Sequence, residues 1–153
     1  MFKIYTCDKA TIAEVDPAEP SPHVIISVTT PGDPLAVIAP DARPEKILRL
    51  VFHDLPWSDE EAARRGWSSC LYGQVTLFTA AMAKQIWYLM MATRGLHGEA
   101  LWPIVVHCDA GVSRSGAIAV AIQKRFGGQL ICQNPPVPNI RVLEIMRETA
   151  PRR

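Results

Sequence analysis

The stretch Ile104-Val105-Val106-His107-Cys108-Asp109-Ala110-Gly111-Val112-Ser113-Arg114-Ser115-Gly116 runs from an apolar segment through a tight polar turn into a helix-prone segment that ends at Phe126. A buried strand that feeds a helix this directly leaves few folds open. The loop between them aims its backbone N–H groups into one concavity at the helix N-terminus, a shape that binds a phosphate-like dianion. With Ile104 to Val106 as the strand and Ser113 to Phe126 as the helix, the amides of residues 109 to 114 surround Cys108. Their partial positive charge and Arg114 should pull the Cys108 thiol well below the free value of about 8.5, toward the ~3.5–7.5 range of activated cysteines. Arg114 can return its planar fork to the loop's mouth and hold two oxygens of one group, which lysine cannot do. Gly111 suits a position that turns sharply or takes positive φ. Ser115 sets a hydroxyl within reach of the sulfur, where it eases the thiolate's departure as a leaving group. His107 is better placed to orient the loop than to act as a base. The phosphate-binding set is then Asp109, Ala110, Gly111, Val112, Ser113 and Arg114.

Elsewhere strands alternate with helices. Phe2 to Tyr5 and Val24 to Val28 read as short strands, the second closed by the Thr29-Thr30-Pro31-Gly32-Asp33-Pro34 turn. Residues 31 to 46 hold four prolines and read as loop with at most one helical turn. Ile47 to Phe52 is a strand that ends in His53-Asp54-Leu55-Pro56, and Ser58 with Glu61 forms a capping-box pattern for a helix through Glu60 to Arg65, stopped by Gly66. Thr76 to Thr93 is the longest helix, with Phe78, Met82, Ile86, Leu89 and Met90 on one core-facing stripe. Burial is the expectation for Trp87 and Tyr88, and a solvated face for Arg64 and Arg65. After Gly95 to Gly98 comes the strand into His107. A final helix over Asn139 to Glu148 follows the Pro-rich turn at 135 to 138. This order predicts an α/β fold: one domain over residues 1–153, with a twisted, mostly parallel central sheet of about four to five strands and helices on both faces.

At 153 residues, 48% hydrophobic and 20% charged, the chain fits one core, and a net charge of +1 argues against a polyanion-binding surface. Nucleic acid is not expected as a partner. Cys7, Cys70, Cys108 and Cys132 form no CxxC pair, which disfavours a metal site and suits a reducing compartment, with Cys7, Cys70 and Cys132 as small apolar fillers. The start MFKIYTCDKA has no apolar signal-like region, and Lys84 with Gln85 break the longest apolar helix. The expectation is a cytoplasmic protein with no membrane partner.

His-Cys-x5-Arg-Ser, here HCDAGVSRS, resembles the signature loop of the cysteine-dependent protein tyrosine and dual-specificity phosphatases, in the manner of a small bacterial or phage-type member. The resemblance implies the dual-specificity phosphatase fold, catalysis by Cys108 and Arg114 through a phosphocysteine intermediate, and no metal or cofactor. The loop lies about two-thirds along the chain, which is similar to the dual-specificity type rather than the low-molecular-weight type. The family also needs an aspartic acid to protonate the leaving oxygen. Asp54, just beyond Leu48-Arg49-Leu50-Val51-Phe52, matches its place. Asp59 is the rival, because Trp57-Ser58-Asp59 is similar to the Trp-Pro-Asp loop of larger members, yet an acid in a helix's first turn is favoured there anyway. The interval to Cys108 makes residues 55 to 75 an insertion.

The loop interior has no lysine to hold a polyphosphorylated headgroup, so the resemblance implies a phosphorylated protein or peptide substrate, carrying phosphotyrosine or both phosphotyrosine and phosphoserine/threonine. The alternatives are a non-protein phosphatase acting on RNA 5′-triphosphate, nucleotide or lipid, a phosphoryl-binding module of weak activity, and a sulfur transferase, an arsenate reductase or a rhodanese-type phosphatase. A metal-binding structural protein ranks last.

Overall fold

Val24-Ile25-Ile26-Ser27-Val28-Thr29 is buried at every position, which suits a parallel strand covered on both faces. In the computed structural model, which describes residues 2–65, 75–94 and 102–152, this strand, β2 (Val24–Thr29), belongs to a five-stranded sheet. The other strands are β1 (Lys3–Asp8), β3 (Lys46–Val51), β4 (Ile104–Cys108) and β5 (Gln129–Cys132). Their order is β3-β2-β4-β1-β5, with every paired neighbour parallel. The helices are α1 (Lys9–Glu14), α2 (Asp59–Arg64), α3 (Ala80–Ala92), α4 (Arg114–Phe126) and α5 (Ile140–Thr149).

The connection from β1 to β2 through α1 and that from β4 to β5 through α4 run in opposite directions across the sheet. Right-handed crossovers then put α1 and α4 on opposite faces. The two cores agree. Ile12 of α1 packs with Cys7, Ile25 and Val105, whereas Ile118 and Ile122 of α4 pack with Ile4, Ile26, Val106, Ile86 and Met90. The loops leaving the carboxyl ends of neighbouring β1 and β4 therefore diverge and open a crevice there, where ligands of open parallel sheets bind. Cys108 is the last residue of β4.

The second core carries most of the packing. Phe52 and Phe78 lie 4.9 Å apart, and Trp87 meets the edge of Phe126 at 6.0 Å. Trp87 turns to α5 rather than to the sheet, and its indole N–H donates to the Met146 carbonyl at 3.0 Å and Thr149 Oγ1 at 3.2 Å. Tyr88 corrects the expected burial, for its side chain is 80% exposed. Adjacent helical residues point about 100° apart, so a buried Trp87 sends Tyr88 outward.

Other boundaries shift for local reasons. The helix expected to be the longest, α3, starts only at Ala80 because Thr79 accepts from the Met82 amide as its N-cap, and at 13 residues it equals α4 rather than exceeding it. The sequence reading has no counterpart of α1 or β5, and β1 continues to Asp8 where Tyr5 was the expected end. Cys7 is the small buried filler expected, but Cys132 is half-buried on the edge strand. Gly66, Cys70, residues 95 to 98 and residues 66–74 of the expected insertion lie outside the described residues. Among the described residues no helix is long and apolar enough to cross a membrane.

Ile118 is fully buried against the β4 side of the sheet. Ile118→Ala should cost about 2–5 kcal/mol of stability, read as a lower urea midpoint at unchanged slope. A loss below about 0.5 kcal/mol, the range of surface substitutions, would mean that α4 does not seal this core.

Candidate active site

Strand alternation sends Cys108 to the same side as Ile104 and Val106, toward the larger core, and His107 to the other. The loop that follows is turned inside out. The carbonyl oxygens of Asp109, Val112 and Ser113 accept from the amides of Lys9 (3.2 Å), Val137 (3.2 Å) and Asn139 (3.0 Å), so two outside segments hold them, the start of α1 and the turn before α5. Among the described residues, the amides of residues 109 to 113 donate to no protein acceptor. Gly111 makes the turn, with φ of +71°. A Cβ there would sit 2.5 Å from the Cys7 carbonyl carbon and 2.7 Å from the Asp8 nitrogen, so the loop lies flush on the end of β1 and only glycine fits.

The helix that receives the loop is uncapped. Asp8, Ser58, Thr79 and Asn139 each accept an amide N–H at the start of the other four described helices. Ser113, before α4, makes no such bond and donates its hydroxyl to Asp54 Oδ1 at 2.8 Å instead. The first amides of α4 thus remain open at its positive end.

Cys108 Sγ lies 3.1 Å from Ser115 Oγ. Arg114 is only 3% exposed, and its guanidinium is anchored along one side. Nη1 donates to the Phe52 carbonyl at 2.7 Å and Thr30 Oγ1 at 3.0 Å, and Nη2 to Asp109 Oδ2 at 3.0 Å. The Thr30 hydroxyl donates to the same Asp109 oxygen at 2.8 Å. Nε of Arg114 is buried with no partner among the described residues, although such groups nearly always find one. Burial pushes the Asp109 carboxyl up, but its bond from Thr30, the Arg114 charge and bond, and Lys9 together hold it below the usual carboxylate range.

These groups line a cleft of about 650 Å³ together with Asp54, His53 and Leu55 from the end of β3. Asp54 Oδ1 accepts from Ser113 and from Asn139 Nδ2 at 2.7 Å, which leaves Oδ2 unbonded to any described residue. Asp59 points elsewhere: its side chain is 91% exposed, and Oδ1 accepts from Arg141 Nη2 at 2.9 Å. The same Arg141 binds the carbonyls of Trp57 and Phe78, so Asp59 belongs to a strut rather than to the cleft. His53 Nδ1 accepts the Thr76 amide at 3.0 Å, which sets the ring proton on Nε2.

His107 is fully buried behind the loop. Nε2 lies 2.6 Å from Ser27 Oγ, and Nδ1 lies 3.4 Å from the Cys108 carbonyl. Only Nδ1–H can serve a carbonyl, so Nε2 accepts from Ser27, whose oxygen faces Arg49 Nη1 at 3.5 Å. Burial pushes its pKa down to about 4; the Cys108 carbonyl and Asp109 oppose this, and Arg49 and Lys9 reinforce it.

All of Cys108, Arg114, Ser115, Asp54 and the loop residues Asp109 to Ser113 meet at one sheet edge, with His107 beneath them. The sequence reading missed Thr30, Asn139, His53 and the carboxylate of Asp109. Thr30 and Asn139 sit in turns whose composition marks loops, and only the parallel strand order brings them to this edge. Asp109 was read for its amide alone; a carboxylate next to the cysteine, in a loop that also carries an arginine, was the available signal.

No family model matches the chain, and no curated protein does. Among solved structures it is similar to the human tyrosine phosphatase-like serine/threonine/tyrosine-interacting protein, at 16% identity and TM-score 0.47, over 84% of this chain and 76% of that one.

A depressed His107 has a sign that can be measured. Above pH ~6.5, the free value, folded and unfolded His107 are both neutral and the stabilisation is complete; below it the unfolded chain binds a proton that the buried ring refuses. Stability should fall by about 3 kcal/mol as pH drops from 6.5 toward about 4. His107→Gln should show a shallower dependence across that window in urea titrations. Parallel profiles for the two proteins would mean that His107 titrates normally.

Proposed function

We propose that the chain is a phosphomonoester hydrolase that works through a phosphocysteine, with a phosphorylated protein or peptide as substrate. The observation that carries this reading is the row of unengaged amides over residues 109 to 113, beside Cys108, with the unpaired Nε of Arg114 at the same cleft. A trigonal set of phosphoryl oxygens satisfies those donors, and fixed donors of this kind stabilise charge that develops in the transition state.

Cys108, as the thiolate, attacks phosphorus in line with the ester oxygen. The S–P bond forms as the P–O bond breaks, and Asp54 gives its Oδ2 proton to the departing oxygen. The loop amides and Arg114 hold the three equatorial oxygens throughout. A water then attacks the phosphocysteine, its proton going to the ionised Asp54, and phosphate leaves as the S–P bond breaks. Ser115 donates to the re-formed thiolate, in keeping with its 3.1 Å approach to Sγ. Ser113 and Asn139 keep Asp54 over the cleft through Oδ1. His107 supports the loop from behind and takes no proton from substrate.

Three variants test the assignment on phosphotyrosine and phosphothreonine peptides, an inositol phospholipid and an RNA 5′-triphosphate. Cys108→Ser should lower turnover by about 10³-fold or more. Asp54→Asn should lose about 10²–10⁴-fold on peptides and much less on an aryl phosphate whose leaving group needs no proton. Asp59→Ala should retain parental activity. Hydrolysis by Cys108→Ser at the parental rate removes the nucleophile, and a larger loss at Asp59 than at Asp54 moves the acid. Turnover of the lipid or RNA above both peptides replaces the substrate class.

A further inference from the structure

Asp109 is unusual in chemical terms: it sets a carboxylate into a loop whose amides face an anion. Its side chain is 43% exposed, and Oδ2 is taken up by Thr30 and by Arg114 Nη2. It sits in the cleft lining with Asp54, and among the described residues Arg114 is the only lysine or arginine there. His53 adds no charge in its present tautomer, since Nδ1 accepts an amide proton. Lys9, whose charge reaches Asp109, is not in the lining, and its ammonium donates to the Pro34 carbonyl at 3.0 Å. Once a phosphoryl group occupies the amides and Arg114, the one guanidinium in the cleft faces both a bound anion and Asp109. The charge left at the mouth is negative.

We infer that Asp109 is a specificity-determining residue: it selects phosphorylated segments in which the residues flanking the phosphoresidue are basic or neutral, and rejects segments with acidic or phosphorylated neighbours. The inference rests on the phosphatase reading above and names its substrate class. Asp109 is also a positioning residue, because its bond to Nη2 helps to leave Nε of Arg114 free. The two roles separate in experiment. Misplacement of Arg114 slows every substrate alike, whereas loss of the rim charge changes the ratio between substrates.

Two phosphotyrosine peptides that differ only in having Arg or Asp on both sides of the phosphoresidue provide the test, with kcat/KM as the readout. Exchanging Arg for Asp changes the charge by two units, and one such exchange about 7 Å from Asp109 is worth about tenfold even in water-like surroundings, so the pair of flanking exchanges gives a preference of about tenfold or more for the Arg peptide. That preference should shrink as salt rises from 0.02 to 0.5 M, on the order of a Debye-length change from about 20 to about 4 Å. Asp109→Asn keeps an oxygen acceptor for Arg114 and Thr30 and should bring the ratio to within about twofold of unity, whatever it does to the absolute rates. Equal rates for the two peptides with the parental protein, or a ratio unmoved by Asp109→Asn, overturns the inference and leaves the phosphatase reading standing. Absence of Cys108-dependent turnover on both peptides overturns the two together.

Discussion

A loop that turns its carbonyl oxygens outward and its amides inward must be held there, because isolated amides of like polarity repel and the chain gains nothing locally from aligning them. The holding is distributed over two places far apart in sequence, Lys9 at the start of α1 and the turn before α5 with Val137 and Asn139, and each of these three residues donates an amide to a loop carbonyl. Gly111 closes the arrangement by lying on the backbone of Cys7 and Asp8 with no side chain between. The crevice itself follows from topology, since α1 and α4 leave neighbouring strands toward opposite faces. The result is a set of donors whose alignment is maintained by the fold itself.

Arg114 shows the same economy of support. A buried guanidinium without partners is costly, and pairing with one carboxylate seldom repays its desolvation. Here the Phe52 carbonyl, the Thr30 hydroxyl and Asp109 share the task along one side of the fork. The side bearing Nε has no partner among the described residues. His107 contributes from the opposite face of β4 as a neutral ring, kept so by burial, and joins β2 through Ser27 to the residue carrying the sulfur. The site therefore takes its geometry from β1, β2, β3 and β4 at once, which a sheet with all carboxyl ends on one edge makes possible.

The central strands, the loop and α2 are legible in the sequence because each is governed by strong local rules: continuous apolar runs, a glycine at a turn, and Ser58 as the cap of α2. The helix α1 was not, since Lys9–Glu14 is too short for a periodic stripe and depends on Asp8 as its cap. The edge strand β5 was hidden for a related reason, its Gln129–Cys132 segment being only partly buried and held by pairing with β1. Tyr88 misled because apolar character predicts burial on average, whereas its place beside Trp87 on α3 decides the matter. Within the site, Cys108, Arg114, Ser115 and Asp54 were readable from one motif and one strand end. Thr30 and Asn139 are 84 and 85 positions from the partners they bond, Arg114 and Asp54, and contacts of that range are set by strand order, which no local pattern encodes.

The claim beneath all of this is that the amides of residues 109 to 113 and Arg114 Nε form one cradle for a tetrahedral or trigonal oxyanion beside Cys108. A crystal structure of the protein with tungstate tests it most directly. The account predicts the oxyanion over Cys108 Sγ, with its oxygens accepting from those amides and from Arg114 Nε, while Phe52, Thr30 and Asp109 keep their hold on the guanidinium. Tungstate bound elsewhere with the cradle empty, or amides of the loop turned away to protein acceptors, would contradict it.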